Sequence, residues 1–309
     1  MAVTAALVKE LREMTGAGMM DCKKALEATA GDMDKAVEFL REKGLAAAAK
    51  KAGRIAAEGL VSAKVEGNRA VIAEVNSETD FVAKNADFQT YVAEVVDQAM
   101  NTEATDINAF LAEPWTLDPS LTVEQKLSSM IAVIGEKLSI RRFAKVEGDA
   151  VVAYIHGGGR IGVLVEAKTE AGSDPAVTEA LKNVAMQIAA LRPRYISRAE
   201  VSADFQAKET EILRAQIMND PKEARKPEKV INGMIQGRIA KEMKEFCLVD
   251  QIYVKAEDGK QTVGQYLEQV SKAVGSKLTV TKFIRYETGE GIEKREDDFA
   301  AEVAKQMGM

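Results

Sequence analysis

The chain has 309 residues, 46% of them hydrophobic and 29% charged, which excludes a disordered or membrane-embedded class and suggests about two domains. A net charge of -6 with a pI near 5.3 argues against a general binder of phosphate backbones, whose domains carry a basic surplus. Two cysteines, Cys22 and Cys247, are too few for a disulfide scaffold or a four-thiolate zinc site.

No apolar run approaches the roughly 18 residues of a spanning helix. The start MAVTAALVKELREM carries charges in its first turns and lacks the basic-then-apolar order of a secretory signal. The expected address is the cytoplasm, with no membrane partner.

The first 44 residues predict three short helices. Leu7, Val8, Leu11 and Met14 recur at helical spacing between a capping Thr4 and a terminating Gly16. Met19, Cys22, Leu26 and Thr29 share one face of a second helix that stops at Gly31. Asp32 then caps a third, carrying Met33, Ala36, Val37 and Leu40 up to Gly44. A core this small is marginal alone and needs a neighbour to rest on. A basic, helix-favouring connector, LAAAAKKAGRIAAEG, follows.

From Leu60 the period changes to two. Val61, Ala63 and Val65 alternate with polar residues, Gly67-Asn68 offers a tight turn, and Val71 to Val75 return as a second strand. Helical faces follow at 86–100 (Phe88, Val92, Val95, Ala99) and 122–138 (Leu127, Met130, Ile131, Ile134, Leu138), then a strand at 139–146.

The second half repeats this order. GEKLSIRRFAK from Gly135 resembles GSKLTVTKFIR from Gly275, and the turn Gly67-Asn68-Arg69 answers Gly158-Gly159-Arg160. Gly275 follows Gly135 by 140 positions and Arg160 follows Arg69 by 91, so the later copy should carry about 49 extra residues. Residues 199–247 supply them as two helical arms, one with Val201, Phe205, Ile212 and Ile217, the other with Val230, Met234, Ile235 and Ile239, around Asp220-Pro221 and Pro227. Narrow apolar seams between charged faces predict a projecting antiparallel coiled coil. Phe299, Val303 and Met307 form the stripe of a final short helix.

Catalytic chemistry has little to work with. The one histidine, His156, would have to serve any Ser/His/Asp or Cys/His arrangement, and neither GxSxG nor HExxH surrounds it. Beside a glycine turn it is more ordinary as a structural or partner-contacting residue. The run Gly157-Gly158-Gly159 suggests a phosphate cradle, but it leads into a strand, Ile161 to Val165, rather than a helix, which favours a hairpin turn. No cofactor and no metal site is indicated. A hydrolase built on His156 stays open, as does an RNA-associated factor using Lys50, Lys51, Arg54 and Arg141-Arg142, although aromatic residues for base stacking are not interleaved there.

The segment from Asn76 to Asn85 sets an acid beside an aromatic at an element boundary. Two readings are open: Asp80 or Asn85 caps the following helix while Phe81 enters the core, or Asp80 and Phe81 form a wedge presented to a partner.

Four stretches, LVKELREMTGAGMMDCKKAL at 7–26, TDFVAKN at 79–85, YIHGGGRIGVLVEA at 154–167 and FIRYETGEGIEK at 283–294, together resemble the elongation factor Ts family, bacterial exchange factors for the translational GTPase elongation factor Tu. The likeness spans essentially the whole chain. One small departure is Ser77, where family members often have cysteine.

The resemblance implies an α+β architecture: a ubiquitin-associated-like three-helix domain at 1–55, core subdomains at 56–146 and 147–288 with the coiled coil inserted at about 199–247, and a C-terminal module at 289–309. It implies that Thr79, Asp80, Phe81 and Val82 enter beside the partner's nucleotide site and disturb its magnesium ion. Arg12, Met19 and Met20 become contacts to the partner's nucleotide domain, though Met19 serves equally well in the module's own core. His156, Gly157, Phe299 and Val303 become contacts to a second partner domain. Such a factor is no enzyme and needs no cofactor. Either a homodimer or a heterotetramer with elongation factor Tu fits, and no nucleic acid is expected.

Overall fold

The computed structural model describes residues 3–293; Phe299, Val303 and Met307 lie outside the described residues. The fold class is α+β, with helices over small antiparallel sheets.

Three helices open the chain: α1 (Ala5–Thr15), α2 (Met19–Ala28) and α3 (Met33–Lys51). Thr4 Oγ1 accepts from the Leu7 amide at 3.3 Å and Asp32 Oδ1 from the Lys35 amide at 3.1 Å, and Gly16 ends α1 in the left-handed region. Val8, Leu11, Cys22, Ala25, Leu26 and Ala36 make their shared core.

The first half continues with β1 (Glu58–Glu66), β2 (Arg69–Ser77), α4 (Asp80–Ala83), α5 (Ala86–Asn101) and α6 (Ile107–Ala112). It ends with a small hairpin, β3 (Pro114–Trp115) and β4 (Asp118–Thr122), then α7 (Val123–Ile134) and β5 (Ser139–Glu147). The sheet order is β1-β2-β5, all antiparallel. The second half runs β6 (Ala150–His156), β7 (Ile161–Lys168), α8 (Pro175–Leu191), α9 (Ala203–Met218), α10 (Glu228–Phe246), α11 (Val263–Val274) and β8 (Thr279–Glu287), with sheet order β6-β7-β8.

Alternation along the middle strands dictates a layered core. Val71, Ala73 and Val75 of β2 meet Phe88, Val92 and Val95 of α5 and Met130 and Ile131 of α7, while Ala70 and Ile72 point the other way. On β7, Val163 and Val165 meet α8 and α11, whereas Leu164 points inward. The inward sets, Val61, Ile72 and Val146 against Val151 and Leu164, pack the sheets face to face. Each fully buried aliphatic side chain here contributes about 2 kcal/mol.

The two halves share local chemistry as well as order. Both α7 and α11 begin with a capping box, Thr122 with Gln125 and Thr262 with Gln265, and both end on a left-handed glycine, Gly135 and Gly275. Strand pairing corrects the alignment of the turns by one residue. Arg69 opposes Glu147 and Ile161 opposes Glu287, so Ile161 rather than Arg160 answers Arg69, because the β6–β7 turn is longer than Gly67-Asn68. The helical arms α9 and α10 pack antiparallel through Leu213, Ile217, Ile231 and Ile235, and Phe205 meets Phe246 edge-on at their base.

Other expectations need correction. Gly44 does not stop α3, which runs on to Lys51. It is buried where α3 crosses α7, at ordinary contact distance from the Ser128 backbone, and this crossing rests the three-helix unit on the first half. The helix expected to 138 ends at Ile134, and Leu138 enters the same core from the approach to β5.

The arginines offered as an RNA patch turn inward. Fully buried Glu74, on the inter-sheet face of β2, receives Arg141 Nη1 at 3.0 Å, Arg142 Nε at 2.6 Å, Asn76 Nδ2 at 3.0 Å and the Gly289 amide at 2.8 Å. A β-bulge makes this geometry: Glu74 opposes Arg142 and Val75 opposes Ile140, so Arg141 is the extra residue and both arginines reach one carboxylate. Gly289 (φ +71°) is required, since a Cβ would come 2.0 Å from the Ala57 carbonyl oxygen. Arg54, from the same proposed patch, pairs with Glu78 at 3.2 Å.

Glu74→Ala would leave two half-buried guanidinium groups and a buried amide without their acceptor. It should cost about 3 kcal/mol, the low end for breaking a buried ion pair because the arginines keep some solvent. Urea unfolding measures this, and an unchanged midpoint would contradict the assignment.

Candidate partner-binding site

β2 delivers the chain from the inter-sheet layer directly into α4, a single helical turn. Thr79 caps it, Oγ1 accepting from the Val82 amide at 3.4 Å. Asn85 starts α5 at once, Oδ1 accepting from the Phe88 amide at 3.1 Å. Of the two caps considered for this segment, Asn85 therefore serves and Asp80 does not. Phe81 is 79% exposed rather than tucked into the core, and Val82 is the residue that packs on the helices below.

The tip sets an ion-paired carboxylate beside an aromatic ring. Lys84 Nζ donates to Asp80 Oδ2 at 2.6 Å, and this hydrogen bond holds the Asp80 carboxyl below the usual carboxylate range. The same ammonium lies 5.8 Å from the Phe81 ring centroid, a cation–π distance. Leaving a phenylalanine out forgoes about 2 kcal/mol of burial, which the protein does not recover within the described residues.

Below the tip lies a polar clamp absent from the residues singled out by sequence. Glu136, just past the Gly135 cap, accepts from the Glu78 and Thr79 amides at 3.1 and 3.0 Å and from Thr79 Oγ1 at 2.7 Å. In return Glu78 accepts from the Lys137 amide and from Arg54, and Lys137 Nζ donates to the Ala52 and Arg54 carbonyls at 2.7 Å each. The connector from α3, the end of β2 and the α7–β5 turn thus meet at one place. The available signal was a single letter, Glu136 in GEK where the second copy has Ser276 in GSK.

The other candidates sit on separate elements. Met19 and Met20 open α2 and are 59% and 60% exposed, while Cys22, Ala25 and Leu26 fill the module's core; Met19 is therefore a surface residue. Arg12 is exposed in the last turn of α1. Exposed methionines make adaptable apolar contacts.

His156 ends β6 in the open, its Nδ1 3.0 Å from the Tyr154 hydroxyl. Gly157, Gly158 and Gly159 all have positive φ and form the β6–β7 hairpin turn. Gly159 spends its backbone inside the protein, its carbonyl accepting from the Val61 amide at 2.7 Å and from Thr288 Oγ1 at 3.1 Å. That arrangement favours a turn rather than an anion cradle. Among the described residues no cluster of three or more His, Cys, Asp or Glu is placed to hold a metal, and no helix is long and apolar enough to cross a membrane.

Comparison with known proteins agrees with the four sequence stretches. A family model described as "Elongation factor TS" matches residues 78–290, beginning at the root of the α4 segment. The chain is 53% identical over 308 residues to elongation factor Ts of Clostridioides difficile (strain 630), covering 99% of each. It is 52% identical over 310 residues to that of Clostridium perfringens (strain 13 / Type A), again at 99% of each. Elongation factor Ts of Trichlorobacter lovleyi is 48% identical over 316 residues, with both chains fully covered. On these matches the chain belongs to the elongation factor Ts family.

Proposed function

We propose that the chain is a guanine-nucleotide exchange factor for elongation factor Tu in protein biosynthesis. It binds the GDP-loaded partner, disturbs its magnesium and nucleotide site with Thr79, Asp80, Phe81 and Val82, and promotes GDP release so that GTP can bind. The observation that carries this reading is Phe81, largely solvent-exposed on a capped turn beside an ionised Asp80. Among the exposed large hydrophobic side chains of the described residues, Phe81 is the most exposed, which leaves its ring available for burial against a partner.

The physical requirement is differential affinity. A factor that binds the nucleotide-free partner more tightly than the loaded one must weaken nucleotide binding by the same ratio. Each tenfold gain in release rate needs about 1.4 kcal/mol along the exit path. Seating Phe81 in an apolar pocket supplies about 2 kcal/mol, and displaced magnesium contacts and loop rearrangement supply the remainder. None of this asks the chain for a nucleophile, a base or a metal, so the activity is exchange rather than chemical catalysis.

The organisation that goes with this reading has four parts. A ubiquitin-associated-like module at 1–55 meets the partner's nucleotide domain through Arg12, Met19 and Met20. Core subdomains at 56–146 and 147–288 carry the prong, the His156–Gly157 turn and the helical insertion at about 199–247. The segment 289–309 docks through Phe299 and Val303. His156 and Gly157 suit a flat backbone turn with one polar tip against a second domain. The site of action is the cytoplasm, where translation factors work.

Phe81→Ala should leave stability within about 0.5 kcal/mol, as for other exposed positions. It should slow GDP release from elongation factor Tu by about 30-fold, the equivalent of 2 kcal/mol. Stopped-flow release of a fluorescent GDP analogue checks this, and unaltered release at an unchanged melting temperature would overturn the reading.

A further inference from the structure

The two halves of the core provide an internal control for the clamp under the prong. Gly135-Glu136-Lys137 and Gly275-Ser276-Lys277 occupy the same place, between a left-handed helix cap and the third strand of a sheet. In the second half, Ser276 Oγ lies 3.1 Å from Thr169 Oγ1 and accepts from the Glu170 amide at 3.0 Å, holding the chain as it leaves β7. In the first half, Glu136 holds the chain as it leaves β2, but with a carboxylate and three hydrogen bonds. A serine suffices where the departing chain carries nothing; the carboxylate stands where it carries the prong.

The third bond is the informative one. Thr79 Oγ1 donates to Glu136 at 2.7 Å, which fixes the hydroxyl rotor so that the oxygen faces the Val82 amide and caps α4. A four-residue helix with no fully buried residue does not hold together on local propensity, because one turn lies below the cost of helix nucleation. Its order has to come from its root. We infer that Glu136 is the positioning residue of the prong, setting the direction in which Asp80 and Phe81 leave the core and so the rate of exchange. This inference rests on the exchange-factor reading above.

The test uses Glu136→Ser, which installs the second half's own solution, in the full-length chain. The fold should persist, while amide hydrogen exchange at residues 79–84 rises about tenfold and the unfolding free energy in urea falls by no more than the matching ~1.4 kcal/mol. Affinity for GDP-loaded elongation factor Tu should stay within about threefold, since other surfaces supply most of the contact, whereas the maximal release rate at saturating chain should fall about tenfold. In a Phe81→Ala background the same substitution should change release less than twofold, because residues acting as one unit are not additive. Should Glu136→Ser unfold, Glu136→Gln, which keeps one acceptor oxygen, takes its place in the same cycle.

Unchanged protection at 79–84, or an equal loss of rate with and without Phe81, would overturn the inference and leave Glu136 a merely structural residue. If the unmutated chain fails to speed GDP release at all, the exchange-factor reading falls, and the hydrogen-exchange arm still decides whether Glu136 orders the prong.

Discussion

The structure depends on the burial of one carboxylate between two sheets. Glu74 sits on the inward face of β2, where its neighbours Ala70 and Ile72 are apolar. It is tolerated only because a bulge in β5 brings two arginines to it while the second half contributes the Gly289 amide. Taking a charge out of water costs several kcal/mol unless partners of this quality surround it. The cluster therefore ties the two halves in one arrangement rather than merely adding attraction. Arg142 extends the tie by lying 4.0 Å from the Tyr286 ring centroid.

β2 is also the strand that ends in the prong, so the direction of Phe81 is inherited from the most constrained element of the core. Glu74 fixes the strand, Glu136 fixes its exit, and Thr79 fixes the turn beyond. An exchange factor gains from such an arrangement. On the proposed reading, a mobile phenylalanine would lose on binding the entropy of ordering its own loop, whereas a segment already held in place would meet the partner with that cost removed. The chain restarts at once as α5 at Asn85, which leaves no slack behind the single turn α4.

Periodicity made much of this architecture legible. The caps at Thr4 and Asp32, the two hairpins, the helical arms and the likeness of GEKLSIRRFAK to GSKLTVTKFIR could all be read from residues. What could not be read was context. Gly44 has the local signature of a helix end, and only the approach of α7 makes it a crossing point. Glu74 looks like an ordinary polar residue of an alternating strand until a second sheet covers its face. Arg141 and Arg142 look like a basic patch until the bulge turns both inward. For Phe81 the letters alone leaned towards burial in the core, because an aromatic beside a capped helix ordinarily packs beneath it, and the structure leaves it exposed. Elements α6, β3 and β4 were too short to give a period at all. Glu136 was visible only as a one-letter difference between the copies, and its meaning lay in which backbone amides it reached.

The central claim is that the chain prefers the empty form of its partner. Titration calorimetry with elongation factor Tu, once stripped of nucleotide and once saturated with GDP and magnesium, measures that preference directly. The account predicts much tighter association with the stripped protein, by the same factor by which the chain lowers the partner's affinity for GDP. Equal affinities for the two forms would contradict it.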